Sequence, residues 1–172
     1  MDTKHVLDFF YKRRSIRRYK DANVSPEAID TILRAAMSAP SAGNEQPWHF
    51  IVVDDRRKMK EITKCHPYSS MLNTAPKCII VAADVDMQRY RGYWVQDCSA
   101  ATQNMLLAIA QLGLGGVWLG VHPIKEREEG IRKIFNLPDN IIPFAVVALG
   151  VPDEEKGPSD RYNPERVHIN TW

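Results

Sequence analysis

The sequence predicts an α+β domain built on one sheet covered by helices, and three observations predict it. Helix-period and strand-period segments alternate along the chain without a linker, repeat or low-complexity tract, giving about four strands and five helices. The run Cys78-Ile79-Ile80-Val81 is too continuous for a half-exposed strand and belongs in a sheet interior. At 172 residues and 44% hydrophobic content, the chain fits a single domain over residues 1–172 with a real core.

Val6, Leu7, Phe9 and Phe10 predict a short first helix that gives way to the basic stretch Lys12 to Lys20. The next helix is the clearest. Ser25 can cap it, Pro26 suits its first position, and Glu27 favours the positive end of its dipole. Ile29, Ile32, Leu33, Ala36 and Met37 then form one buried stripe, and Pro40 ends the pattern. Trp48 to Val53 reads as a strand, and Asp54-Asp55 opens a charged helix reaching about Cys65. Lys77 to Ala83 is a second strand. The segment from Gly92 to Leu112 reads as a long helix, apolar on more than one side through Val95, Cys98, Ala100, Ala101, Met105, Leu106, Leu107 and Ile109. Burial that complete needs more cover than one small subunit usually provides, which hints at a dimer. Gly113 to Gly116 breaks this helix, Val117 to Leu119 is a short strand, Lys125 to Phe135 an amphipathic helix, and Phe144 to Leu149 a last core strand. The polar, Pro-rich tail from Pro152 to Trp172 has little to bury of its own, and its final Trp172 favours packing on something else.

Composition excludes several function classes. Lys plus Arg (23) nearly balance Asp plus Glu (21), so no global field attracts nucleic acid or an anionic membrane. Cys65, Cys78 and Cys98 are scattered and odd in number, against a disulfide framework or zinc site, and suit a reducing, cytoplasmic compartment. No apolar run approaches the ~20 residues that span a bilayer. The five histidines show no metal spacing, and there is no nucleophile elbow or P-loop. Any hard chemistry therefore belongs to an organic cofactor.

Three segments carry the candidate chemistry. Arg13-Arg14-Ser15-Ile16-Arg17-Arg18 combines guanidinium groups with a hydroxyl, the groups that cradle a phosphate, although an isolated run of this kind is more often a solvated face. The loop from Ser38 to Trp48 joins small residues to Asn44 and Gln46, so a flat ring could approach its backbone and meet amide donors and acceptors; it reads equally as a capped turn. The glycines from 113 to 120 are no dinucleotide fingerprint, because Trp118 stands where a third glycine is needed and the cluster follows a helix; by composition they read as a helix cap and turn.

Taken together and in order, these segments resemble the nitroreductase family of FMN enzymes. Arg13 to Arg17 looks like its N-terminal phosphate motif, Ser38 to Phe50 like its second motif, and Gly113 to Gly120 like the segment that meets the flavin's reactive edge. Arg161-Tyr162-Asn163-Pro164-Glu165-Arg166-Val167-His168 is similar to the closing motif of its short members. The resemblance implies an α+β sandwich with a mainly antiparallel central sheet, in an intertwined homodimer with exchanged C-terminal tails. It also implies roles. Arg13, Ser15 and Arg161 would hold the FMN phosphate, with Arg14 near the phosphate and ribityl chain and Arg17 under the pyrimidine edge as electrostatic stabiliser. Pro40, Ser41, Ala42, Asn44 and Gln46 would reach the flavin from the other subunit. Trp118, Leu119 and Gly120 would meet N5 and O4 through backbone amides.

Two departures stand out. Ala42 replaces a second serine, and Pro67 to Ser70 lacks the Asn and Lys that members often place near the pyrimidine, leaving Arg17 as the main cation there. The implied reaction is ping-pong hydride transfer from NADH or NADPH, through FMN, to a nitroaromatic, quinone or similar electron-poor acceptor. The alternatives are a specialised family reaction (dehalogenation, dehydrogenation or flavin fragmentation), a flavin-binding redox protein of low turnover, or a small basic module that binds RNA.

Overall fold

The computed structural model describes residues 3–172, with side chains from Val6 onward. Five helices alternate with four strands: α1 (Thr3–Tyr11), α2 (Pro26–Met37), β1 (Trp48–Val53), α3 (Arg56–Cys65), β2 (Lys77–Asp84), α4 (Trp94–Gln111), β3 (Gly115–Gly120), α5 (Lys125–Phe135) and β4 (Ile141–Gly150). Local chemistry explains the boundaries. Ser25 accepts the Ala28 N–H to cap α2, which carries Pro26 in its first turn. Asp55 accepts from Arg57 and Lys58 to cap α3, and Asn136 ends α5 in the left-handed region.

The strands form one antiparallel sheet in the order β1-β2-β4-β3. The continuous apolar runs of β2 and β4 therefore take the two interior places, and Cys78 to Ala83 is buried throughout. Strand alternation divides the core in two. Ile79, Val81, Ala145 and Val147 face α2 and α4, whereas Cys78, Ile80, Val146 and Ala148 face α3 and α5.

The predicted stripe of α2 is narrower than its spacing promised. Ile29, Ile32 and Ala36 are buried, Leu33 is half-buried and Met37 is exposed; α2 packs mainly on α4. In α4, Cys98, Ala101, Met105 and Ile109 are buried, while Val95, Ala100 and Leu107 are only partly covered. Within one chain, this helix has one well-covered side. Beyond β4 the chain carries a single 3-10 turn, Pro164–Arg166, and Ile169 and Trp172 stand in solvent. Among the described residues, no helix is long and apolar enough to cross a membrane.

Candidate functional site

The basic stretch is not a free surface run, because two apolar anchors tie it to the sheet. Ile16 and Tyr19 are buried among residues of the α3/α5 face, and the Tyr19 hydroxyl donates to the Ile16 carbonyl at 2.6 Å. The Ile16 N–H donates to the Gly116 carbonyl at 3.0 Å, so this segment lies beside β3, the edge strand. Gly115 permits that approach: a Cβ there would lie 2.6 Å from Ile16 Cγ2. Thus Gly113, with φ of 72°, is the expected helix cap, whereas Gly115 is the seat of the arginine segment. With Ile16 and Tyr19 turned inward, Arg17 and Arg18 face solvent, and Arg13, Arg14 and Ser15 are half-buried.

The tail returns along this strap. Arg14 donates to the Gly157 carbonyl, Lys156 to the Ser15 carbonyl, and the Ser159 N–H to the Tyr11 carbonyl. This course brings Arg161 near Arg13, and the crowding registers electrostatically. Burial, followed by the Arg161 and Arg14 guanidiniums, holds the Arg13 pKa below the ordinary arginine value. No carboxylate forms an ion pair with Arg13, Arg14 or Arg161 among the described residues. Like charges held together in this way favour a bound anion.

The open edge of β3 forms the next part. Because the Gly116 carbonyl faces away from β4, alternation turns the backbone groups of Trp118 and Gly120 to the same open side. There the Gly120 carbonyl accepts from His66 Nε2 and from Arg127, each at 2.8 Å. His66 is buried and its Nδ1 accepts the Tyr68 N–H, so both ring nitrogens are used by the neutral tautomer. Burial lowers its pKa, outweighing the bond to Gly120, and the Arg127 charge adds to the lowering. A cleft of about 460 Å³ opens here, lined by Arg17, Tyr68, Ser70, Leu119, Gly120 and Arg127 among others. Among the described residues, no carboxylate lines it. The Trp118 ring also turns inward against Phe144, with centroids 5.5 Å apart.

The loop between α2 and β1 is held elsewhere. Gly43, Asn44 and Gln46 all have positive φ (51°, 57° and 47°), a concentration of left-handed backbone in one short loop. The Gln46 N–H donates to Ser41 Oγ, and Gln46 Nε2 donates to Asn44 Oδ1. The hydroxyl proton of Ser41 stays available to a ligand. Glu45 turns inward, where its Oε2 accepts the N–H groups of Arg89 and Tyr90, while Asp97 of α4 accepts the Ala42 N–H. Glu45 and Asp97 are both buried, each with one otherwise unpartnered oxygen. Burial raises the Asp97 pKa and neighbouring Glu45 raises it further; in Glu45 the Tyr90 and Arg89 bonds outweigh burial and lower it. A proton on Asp97 donated to Glu45 satisfies both oxygens. None of Pro40, Ser41, Ala42, Asn44 or Gln46 lines the Arg17 cleft within one chain.

The family model described as "Nitroreductase family" matches residues 11–66 and 60–151, a span that contains the arginine strap, the left-handed loop and β3. The chain belongs to the nitroreductase family. A relative from Archaeoglobus fulgidus named "Putative NADH dehydrogenase/NAD(P)H nitroreductase" is 51% identical over 98% of this chain and 99% of its own length. An "FMN-dependent Nitroreductase" structure from Clostridium difficile is similar at a TM-score of 0.89 and 33% identity, covering 95% of this chain and 98% of that one. A "putative nitroreductase in complex with fmn" from Desulfovibrio desulfuricans aligns at a TM-score of 0.83 and 32% identity, covering 97% of each chain.

For this nitroreductase-family chain, the expected site residues fall into two groups. Arg13, Arg14, Ser15 and Arg161 gather at one end of the strap, and Arg17, Trp118, Leu119 and Gly120 at the next; the loop from Pro40 to Gln46 stands apart. Arg17 is not the sole cation at its cleft. Arg127 joins it from the first turn of α5, a position the sequence shows only as charge on an amphipathic helix. The Glu45–Asp97 pair was equally unreadable, since the two residues lie on different elements.

Proposed function

We propose that this chain is an FMN-dependent NAD(P)H oxidoreductase that reduces a nitroaromatic, quinone or similar electron-poor acceptor. One observation carries the reading: three guanidiniums crowd at one end of a strap whose next residue, Arg17, lines a cleft at the open edge of β3 that has no carboxylate among its described lining residues. Such a line of groups fits a molecule with a dianionic phosphate at one end and a flat, hydrogen-bonding ring at the other. Arg13, Ser15 and Arg161 would hold the phosphate, with Arg14 beside it bracing the tail through Gly157. Arg17 would face the pyrimidine edge, and the Trp118, Leu119 and Gly120 backbone the ring's reactive edge. When bound, FMN supplies the two-electron chemistry that links a nicotinamide to an acceptor. The relatives named as NAD(P)H nitroreductases and the FMN-bound neighbour support the same reading.

The functional unit in this reading is a homodimer with exchanged tails. The loop bearing Pro40, Ser41, Ala42, Asn44 and Gln46 would complete the flavin site of the second copy, since it cannot line the cleft of its own. Exposed Phe9, Phe10, Ile169 and Trp172 would find their cover there. The test is a spectrum followed by a titration. Purified protein is expected to show flavin absorbance that bleaches anaerobically with NADH or NADPH and returns with a quinone. Protein that binds no FMN after reconstitution would overturn the reading, and bound FMN that neither nicotinamide bleaches would make it a flavin carrier.

A further inference from the structure

Arg127 uses one of its five N–H donors on Gly120 and lies over the Tyr68 ring at 5.6 Å, yet it forms no ion pair among the described residues. Of the three glutamates on its own helix, Glu128 is bonded to His122 and Lys125, and Glu126 and Glu129 form no ion pair among the described residues. Across the cleft stands Arg17, likewise without an ion pair among the described residues, and the buried imidazole between Gly120 and Tyr68 is neutral. Two guanidiniums therefore face one opening that no carboxylate among the described residues lines. The segment from Pro67 to Ser70, at the same opening, contributes no charge.

We infer that Arg127 is the second cation of this cleft, taking over from α5 the charge that the Pro67–Ser70 segment lacks, and that it sets the redox level of the bound flavin. The inference rests on the FMN reading above. A fixed cation facing the flavin ring across this cleft interacts more strongly with the reduced, anionic ring than with the neutral oxidised one. Its effect is therefore on the ratio of the two affinities, not on binding in general. The hydrogen bond to Gly120 holds the guanidinium in place, because that carbonyl is itself fixed by His66 and by the strand.

The experiment compares Arg127→Gln with Arg127→Lys in the flavin-loaded protein, measuring the two-electron midpoint potential and the oxidised-FMN Kd. Arg127→Gln is expected to lower the preference for reduced over oxidised FMN by about tenfold, read as a drop of about 30 mV. Arg127→Lys, which keeps the charge, is expected to restore most of that drop. Oxidised FMN is expected to bind both variants within about threefold of wild type. Equal shifts in the two variants would reduce Arg127 to a brace for Gly120 and overturn the inference, as would an unchanged potential in Arg127→Gln. A wild-type protein that binds no FMN would fail the underlying reading instead, and the absorbance spectrum separates that case at once.

Discussion

Within the basic stretch, burial separates residues that the sequence makes look alike. Arg13 is half-buried beside Arg161, whereas Arg18 is exposed and reaches Glu154 only at 4.0 Å. Removing a guanidinium from a partly enclosed dianion site costs about 1.5–3 kcal/mol, a tenfold to hundredfold loss of affinity. Arg13→Ala is therefore expected to weaken FMN binding by that factor, and Arg18→Ala to leave it nearly unchanged; fluorescence titration of the apoprotein decides, and equal losses would refute the assignment. Arg17 belongs to a different part of the site. Arg17→Ala is expected to lower the flavin midpoint potential by tens of millivolts, about 30 mV for each 1.4 kcal/mol of two-electron couple, while oxidised FMN binds far better than in Arg13→Ala. An unchanged potential with a large loss of binding would instead make Arg17 a phosphate ligand.

At the scale of elements, the loop between α2 and β1 depends on a carboxyl pair for its shape. Glu45 joins it to the segment before α4, and Asp97 joins it to α4 itself. Because Asp97's folded pKa is raised, the folded chain holds this proton more tightly than the unfolded one. That contribution is complete below the ordinary aspartate value of about 3.9 and is lost as pH rises through the folded value. Asp97→Asn keeps an acceptor for Ala42 and a donor for Glu45 but cannot ionise. Its melting temperature is expected to match wild type near pH 4 and to exceed it at pH 7 to 8. A difference between the two proteins that stays constant across that range would mean the proton is not shared. The elements themselves were largely legible in the sequence: the cap at Ser25, the start of α3 at Asp54-Asp55, the α5 span, and the interior placing of β2 all follow from local residue chemistry. The Glu45–Asp97 contact was not, since nothing local marks two carboxyls 52 positions apart as neighbours.

For the whole molecule, the tail carries the sharpest expectation. It holds Arg161 beside Arg13, and its end exposes Ile169 and Trp172. Deleting residues from Gly157 onward is expected to lower FMN content and, if the proposed dimer forms, to weaken it as well. A truncated protein that sediments as a dimer and retains its full flavin would refute both. The sequence by itself determined the alternation of elements, the interior strands and the four segments that carry the family resemblance, because those depend on periodicity, capping and residue type within a few positions. Tertiary structure alone decided that Gly115 seats the arginine strap on β3, that Arg127 joins Arg17, and that the left-handed loop lies away from the cleft of its own chain. Packing sets those distances, and packing joins residues far apart in the chain through sheet order and side-chain volume, which no local pattern records.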